Sequence, residues 1–299
     1  ILPAIELSKT EESLFFIADL HALTTIKDPK KLQENTLATA ATWLACGLDT
    51  QSNLLYRQSD VPQVTELMWY LNCITPFPML ANAHSFKDKS DKLSDVNTGL
   101  FTYPVLMAAD IILYDANIVP VGKDQLQHLE ITRDIAKSFN HIYGETFVIP
   151  ESKIKKDCMI IPGTDGQKMS KSYNNCIHIL EDERILKKQI MKIQTDSKGL
   201  DERKEPENCN IFKIYKLIGD QKQCSILEQK YQNGGFGYGH AKSELLDLIL
   251  TKYKLPRLKF QELMNNPKFI EKELEKGAKK ANQIANSVLQ KVKKNIGLM

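Results

Sequence analysis

Leu14-Phe15-Phe16-Ile17-Ala18-Asp19-Leu20-His21 is the stretch from which the fold can be read. A short apolar run of this kind suits a strand buried on both faces, and Asp19 and His21 mark where it comes out of the core. Downstream, Asp28 as N-cap, Pro29 at the first helical position and Gly47 past the end frame a helix. Asn53–Arg57 reads as a second strand, and Ser59 as the cap of a helix carrying Val64, Leu67, Met68 and Leu71. Phe86–Lys92 is a charged loop. Asn97 to Tyr114 is apolar almost all round, as in a buried helix. Ile118–Val121 is a strand ending at Gly122, Gln125 to Phe139 returns to helical spacing, and Met159–Ile161 is one more short strand. Strand alternating with helix predicts an α/β fold with a parallel sheet.

Strand signals stop near residue 177, and the remainder reads as helices broken at Pro206, Gly234–Gly239, Pro256 and Pro267. The expected domains are therefore residues 1–177, a helical 178–269, and a long helix over 270–299 that packs back on the first. Charge divides in the same way. Residues 177–299 hold 24 Lys+Arg against 16 Asp+Glu, or +8, and the residues before them 16 against 21, or −5. A basic second part suits a polyanionic partner, or equally a lysine-rich helical surface without one. Cys46, Cys73, Cys158, Cys176, Cys209 and Cys224 form no CxxC pair, which argues against a zinc or iron–sulfur cluster and fits reduced thiols in a cytoplasmic setting. No apolar run approaches the roughly 20 residues of a membrane helix.

In a parallel α/β sheet, ligands bind beyond the carboxyl ends of the strands. His21, Gly122-Lys123-Asp124-Gln125 and the loop Lys168-Met169-Ser170-Lys171-Ser172 fall there. Two lysines three apart, flanked by Gly163, Gly166 and polar residues, suit a mobile cationic loop that follows the charge of a triphosphate, or else a solvated basic loop. Tyr103, Met107 and Asp110 share one helix face. A carboxylate inside that apolar helix is costly unless hydrogen-bonded. Asp110 is thus either a structural carboxylate satisfied by protein, or the acceptor for a ligand N–H in a pocket walled by Tyr103 and Met107. Gly122 admits close backbone approach, and Asp124 and Gln125 sit at a helix start, suited to phosphate or ribose, or to a plain turn.

Together, Phe16–Thr24, Thr102–Asp110, Val119–Gln125, Lys168–Ser172 and Gln194-Thr-Asp-Ser197 resemble, in order and rough spacing, the tryptophanyl-tRNA synthetases. The resemblance implies a class I tryptophan–tRNA ligase: a Rossmann-like catalytic domain, a helical anticodon-recognising domain and a homodimer without membrane association. It implies activation of L-tryptophan by ATP with Mg²⁺, then transfer to tRNA(Trp). Asp110 would accept the indole N–H, a group that donates one hydrogen bond and accepts none. Tyr103, Met107, Gln125 and His21 would complete the tryptophan site. Gly122, Lys123, Asp124 and Gln125 would meet ATP, with Cys158 and Met159 near adenine, Met169, Ser170 and Ser172 beside the nucleotide, and Lys168 and Lys171 steadying pyrophosphate. Rival readings are a tyrosyl-tRNA synthetase relative and a non-catalytic synthetase-like protein that binds tRNA or tryptophan.

The family's HIGH-like motif precedes the segment matching Ile1–Glu6, so that motif and a first strand are expected upstream of Ile1, and the chain from Ile1 alone is expected to be inactive or unable to fold. His141-Ile-Tyr-Gly144 and Gly237-Tyr-Gly-His240 spell something similar but stand in the wrong part of the order.

Overall fold

The computed structural model describes residues 1–83, 96–122, 125–154, 161–170 and 173–299, and the backbone alone at residue 154. Its residues divide into two compact units: Ile1–Cys158 with Leu263–Met299, and Met159–Glu262. The Lys168 turn falls within the second, whereas the boundary expected from sequence lay at 177.

In the first unit the apolar run forms β1 (Leu14–Ile17), paired in parallel with β2 (Leu54–Arg57) so that Leu14 faces Leu54 and Ile17 faces Arg57. A second parallel pair joins β3 (Ile118–Val121) to β4 (Glu151–Ile154), with Ile118 opposite Glu151. The fold is α/β with parallel strands, as the alternation predicts. β4 is a strand that hydrophobic pattern does not reveal, since Glu151-Ser152-Lys153 is polar. No described residue of the expected Met159–Ile161 strand is in a strand, although Ile161 C=O accepts from Met169 N–H at 2.8 Å. Residues 159 and 160 and the Phe86–Lys92 loop lie outside the described residues.

The helices follow their local chemistry. Asp28 accepts from the backbone N–H of Lys30 (2.9 Å) and Lys31 (3.4 Å), opening Pro29–Ala45. Asn97 accepts from Leu100 N–H at 3.0 Å and donates to Thr24 C=O at 3.1 Å, starting Thr98–Ile112 and tying it to the segment after β1. Ser59 does not cap the next helix. Its hydroxyl donates to Asp19, and the helix Gln63–Asn72 begins after Pro62, which presets the turn. Leu126–Tyr143 runs four residues beyond the expected Phe139 and stops at Gly144, φ +90°. His141 to Tyr143 are thus the last turn of a helix.

Pro267–Asn295 closes the first unit by lying on β2. Gly277 makes that approach possible: a Cβ there would come within 2.0 Å of Leu55 O. Polar groups fix the seat. Thr50 Oγ1 donates to Glu273 (2.5 Å), Arg57 pairs with Asp60 (2.9 Å) and Glu271 (2.8 Å), and Asn282 donates to Asp60 O (2.8 Å). The core gathers Tyr56, Leu67, Leu71, Val105, Ile112, Leu129, Phe139, Ala281 and Val288, drawing every layer of the unit together.

The second unit is helical in its described residues after residue 177, with Leu186, Ile190, Phe212, Leu227, Tyr231, Leu245 and Ile249 buried together. Asp220 and Gln223 form a reciprocal capping box at Gln221–Asn233. Buried Lys204 places its three N–H donors on the carbonyls of Gly199, Leu200 and Glu202 at 2.8–3.3 Å, a fully satisfied structural cation.

Candidate active site

β1 and β2 lie side by side, so the residues just past their carboxyl ends meet. After β1 comes the short helix Asp19–Ala22, bearing His21, and after β2 the turn Gln58–Asp60. Asp19 links them, accepting from Ser59 N–H at 3.0 Å as well as from its hydroxyl. Asp110 arrives from the Thr98–Ile112 helix. It is 5% exposed, and its neighbours Ala109 and Ile111 are buried too.

Gln58 is completely buried, and its Nε2 donates to both Asp110 oxygens, Oδ1 at 2.9 Å and Oδ2 at 2.7 Å. Its Oε1 accepts the backbone N–H of His21 at 3.4 Å, and the Nδ1 of His21 lies 3.0–3.2 Å from the same amide and 3.7 Å from Asp110 Oδ2. Burial pushes the Asp110 carboxyl well above the usual carboxylate range, the Gln58 hydrogen bonds pull it down, and the nearby Asp19 charge pushes it up. The sequence argument left the protein partner of Asp110 open; the partner is a side-chain amide. It became visible only once β2 and the Thr98–Ile112 helix were placed together, for nothing in Arg57-Gln58-Ser59 marks it.

Tyr103 is brought to the same place. Its ring lies 6.2 Å from that of His21, edge to face, and its hydroxyl meets His128 Nε2 at 2.6 Å. Met107, half-buried between Tyr103 and Asp110 in sequence, packs on the core. His128, 4% exposed, was missed at the sequence level; it stands on Leu126–Tyr143, the helix that packs on Thr98–Ile112. Tyr103 also borders a cavity of about 150 Å³ with Leu20, Leu23, Met68 and Leu106. A larger groove, about 770 Å³, lies on another face between Pro29–Ala45 and the closing helix, lined by Lys30, Glu34, Lys268 and Glu271. That groove is open and mixed in charge, so the smaller, more apolar cavity, bordered by Tyr103 and Leu106 of the helix that carries Asp110, is the better ligand site.

At the end of β3, Gly122 C=O accepts from Gln125 N–H at 3.0 Å, and Gln125 stands at the head of Leu126–Tyr143. Lys123, Asp124, Cys158, Met159, Lys171 and Ser172 lie outside the described residues.

The Lys168 turn is described within its own unit. Pro162 bridges Lys168, and Gly163 N–H donates to Gln167 O at 2.7 Å. Asn175, 2% exposed, clasps the turn: its Oδ1 accepts from Ser170 N–H (2.8 Å), while its Nδ2 donates to Asp165 Oδ1 (2.8 Å) and Lys168 O (3.1 Å). That amide holds the Asp165 carboxyl below the usual carboxylate range. The glycines also leave room for neighbouring side-chain amides. A Cβ on Gly163 would lie 2.3 Å from Asn175 Nδ2, and one on Gly166, φ +80°, 2.6 Å from Asn210 Nδ2. Lys168 itself is exposed. Gln194 N–H donates to Thr164 O (2.7 Å), and Asp196 accepts from the Tyr238 hydroxyl (2.6 Å), so both Gln194-Thr-Asp-Ser197 and Gly237–His240 have structural partners here.

Residues 1–254 match the family tRNA synthetases class I (W and Y). The tryptophan–tRNA ligase of Campylobacter jejuni (strain RM1221) is 47% identical over 294 residues, 98% of this chain and 92% of that protein. That of Fusobacterium nucleatum is 49% identical over 296 residues, covering 99% and 91%. The crystal structure of the Campylobacter jejuni tryptophanyl-tRNA synthetase complexed with ADP and tryptophan superposes with a TM-score of 0.93 at 46% identity, covering 99% of this chain and 92% of that one. With parallel strands presenting a buried carboxylate at their carboxyl ends and this likeness along its whole length, the chain belongs to the class I tryptophanyl-tRNA synthetases, the aminoacyl-tRNA ligases for tryptophan.

Proposed function

We propose that the pocket around Asp110 is the tryptophan site. Asp110 accepts the indole N–H, Tyr103 and Met107 wall the ring, and His21 and Gln125 border it. The observation that carries this is a carboxylate 5% exposed in an otherwise apolar helix, hydrogen-bonded among the described residues by the Gln58 amide with His21 Nδ1 3.7 Å away. A carboxylate has about four lone-pair positions, so two bonds from Gln58 leave acceptor capacity on the same group. That the Campylobacter jejuni relative was crystallised with ADP and tryptophan supports the same two ligand classes here.

In the reaction, a tryptophan carboxylate oxygen attacks the α-phosphorus of ATP, and the bond from that phosphorus to the oxygen bridging to the β-phosphate breaks. Pyrophosphate leaves and tryptophanyl-adenylate remains. A hydroxyl of the terminal adenosine of tRNA(Trp) then attacks the activated carbonyl, releasing AMP. Gly122, Lys123, Asp124 and Gln125 meet the nucleotide, as do Cys158, Met159, Met169, Ser170 and Ser172, and Lys168 and Lys171 neutralise the departing charge. Mg²⁺ carried by the phosphates would supply further neutralisation.

The helical stretch 178–269 is assigned to anticodon recognition and 270–299 to support of the catalytic part, and the excess of basic residues after 177 suits an RNA partner. Trp69 and Phe77, 67% and 69% exposed, favour a homodimer. Five described cysteines are all free, in keeping with a cytoplasmic setting, and no described helix is long and apolar enough to cross a membrane. The test is amino-acid-dependent ATP–pyrophosphate exchange by the complete protein: tryptophan supports it, and an Asp110→Ala variant loses it while ATP binding survives. Exchange unchanged in that variant would return Asp110 to a structural role.

A further inference from the structure

Among the described residues Gln58 is the side chain that hydrogen-bonds the Asp110 carboxylate, and nothing about the overall reaction requires it. It is wholly buried, at the end of β2, and its turn is tethered from three sides. Ser59 is bound to Asp19, Arg57 is paired with Asp60 and Glu271, and Asp60 O accepts from Asn282. A side chain so anchored has one orientation. An ionised carboxylate only accepts, so the amide must turn its nitrogen to Asp110 and its oxygen to the His21 N–H, as observed. A neutral carboxylic acid would reverse this logic, donating its own proton to the amide oxygen. The orientation of Gln58 and the charge on Asp110 are therefore one coupled choice.

We propose that Gln58 is the positioning residue for indole recognition: it holds Asp110 as an ionised, fixed acceptor, so that the pocket selects a ring bearing an N–H over an isostere without one. The inference rests on the reading of Asp110 as the indole partner and adds what makes that partner selective. Gln58 touches no reacting atom. Two of the acceptor positions on Asp110 are filled by its Nε2, one on each oxygen, which stops the carboxylate from rotating. Burial works against the charge at this position and the Gln58 amide is the leading influence in its favour.

The test compares tryptophan with its benzothiophene analogue, in which sulfur replaces the ring N–H, in ATP–pyrophosphate exchange by the complete protein. Gln58→Met keeps length and removes both polar groups. Its tryptophan KM should rise about 10- to 100-fold, the range for a hydrogen bond to a charged group, with the ATP KM unmoved. The preference for tryptophan over the analogue should fall by a similar factor, because a site built around one hydrogen bond discriminates through it. Gln58→Glu keeps the shape and covers the case in which the Met variant does not fold. Two carboxyls at this separation share a proton, and a protonated Glu donates to Asp110. Its tryptophan KM should therefore improve as pH falls and the pair takes up that proton.

Equal loss on both substrates would show a merely structural residue and overturn the proposal. So would an unchanged preference in Gln58→Met together with a flat pH profile in Gln58→Glu. Asp110→Asn separates the two levels. If it raises the tryptophan KM while the Gln58 variants change nothing, only the role of Gln58 fails. If it too changes nothing, the tryptophan-site reading fails and takes this inference with it.

Discussion

In the Asp110 pocket a buried primary amide serves a side chain; at the Lys168 turn a buried primary amide serves the main chain. Gln58 spends its donors on a carboxylate that has no access to water, so its work is electrostatic. Asn175 spends its groups on Ser170 N–H, Lys168 O and Asp165, so its work is to shape a backbone whose lysine points its charge at solvent. The same functional group thus serves a buried charge in one unit and a backbone turn in the other. Where charge is desolvated, a defect appears as lost affinity and specificity. Where charge is solvated and only its carrier is fixed, a defect appears as lost rate.

This contrast can be broken in several ways. The largest effect is expected at the exposed cation. Lys168→Ala should lower the rate of adenylate formation about 10²- to 10³-fold, the range for one preorganised charge-stabilising donor, with tryptophan affinity retained in single-turnover measurements. Loss of affinity instead would erase the distinction between the regions. Asp110→Ala should cut kcat/KM for tryptophan about 100-fold, the upper part of the range for one charged hydrogen bond, with ATP affinity retained in equilibrium binding.

Gly277→Ala probes the pocket side from behind. The new methyl meets Leu55 O on β2, so an overpacking cost of about 3 kcal/mol is expected. Urea unfolding should show that loss, and tryptophan affinity should fall before the Lys168-dependent rate does. Asn175→Ala should slow adenylate formation about 10-fold, the effect of losing a clasp worth one to two buried hydrogen bonds, and leave the tryptophan KM in place.

The mildest lever is pH. The carboxyl of Asp110 is raised by burial, so its proton favours the folded state: its contribution to stability is complete in acid and lost as pH rises through the raised value. The carboxyl of Asp165 is lowered by Asn175, so its contribution is present above the ordinary value and lost as pH falls through the depressed one. Mild acid should therefore weaken tryptophan binding in a KM–pH profile while raising the midpoint of thermal unfolding and leaving the Lys168 turn unaffected. Simultaneous loss would mean that both carboxylates titrate alike.

Much of the scaffold could be read from local chemistry. The run at Leu14, the caps at Asp28 and Asn97 and the buried face around Asp110 each satisfy a rule within a few residues. What escaped depends on distant partners. β4 is polar and exists because β3 offers hydrogen bonds to Glu151-Ser152-Lys153-Ile154. Gln58 has no signature of its own and is defined by a carboxylate 52 positions away. Ser59 has a capping residue's chemistry, but Asp19 outcompetes the helix for its hydroxyl. Gly163 and Gly166 also provide clearance that the sequence does not announce, because the atoms that need the space belong to Asn175 and Asn210. A one-dimensional reading identifies groups that must be satisfied, but not by whom.

The seat of Pro267–Asn295 on β2 has a consequence for biosynthesis. A ribosome makes the two portions of the first unit at different times, with every residue of the second unit emerging between them. The nascent chain thus carries an uncapped Leu55 face, and the turn bearing Gln58 without its ties to Glu271 and Asn282, until translation has passed Asn282. With Gln58 in its proposed role, indole selectivity is acquired late in synthesis.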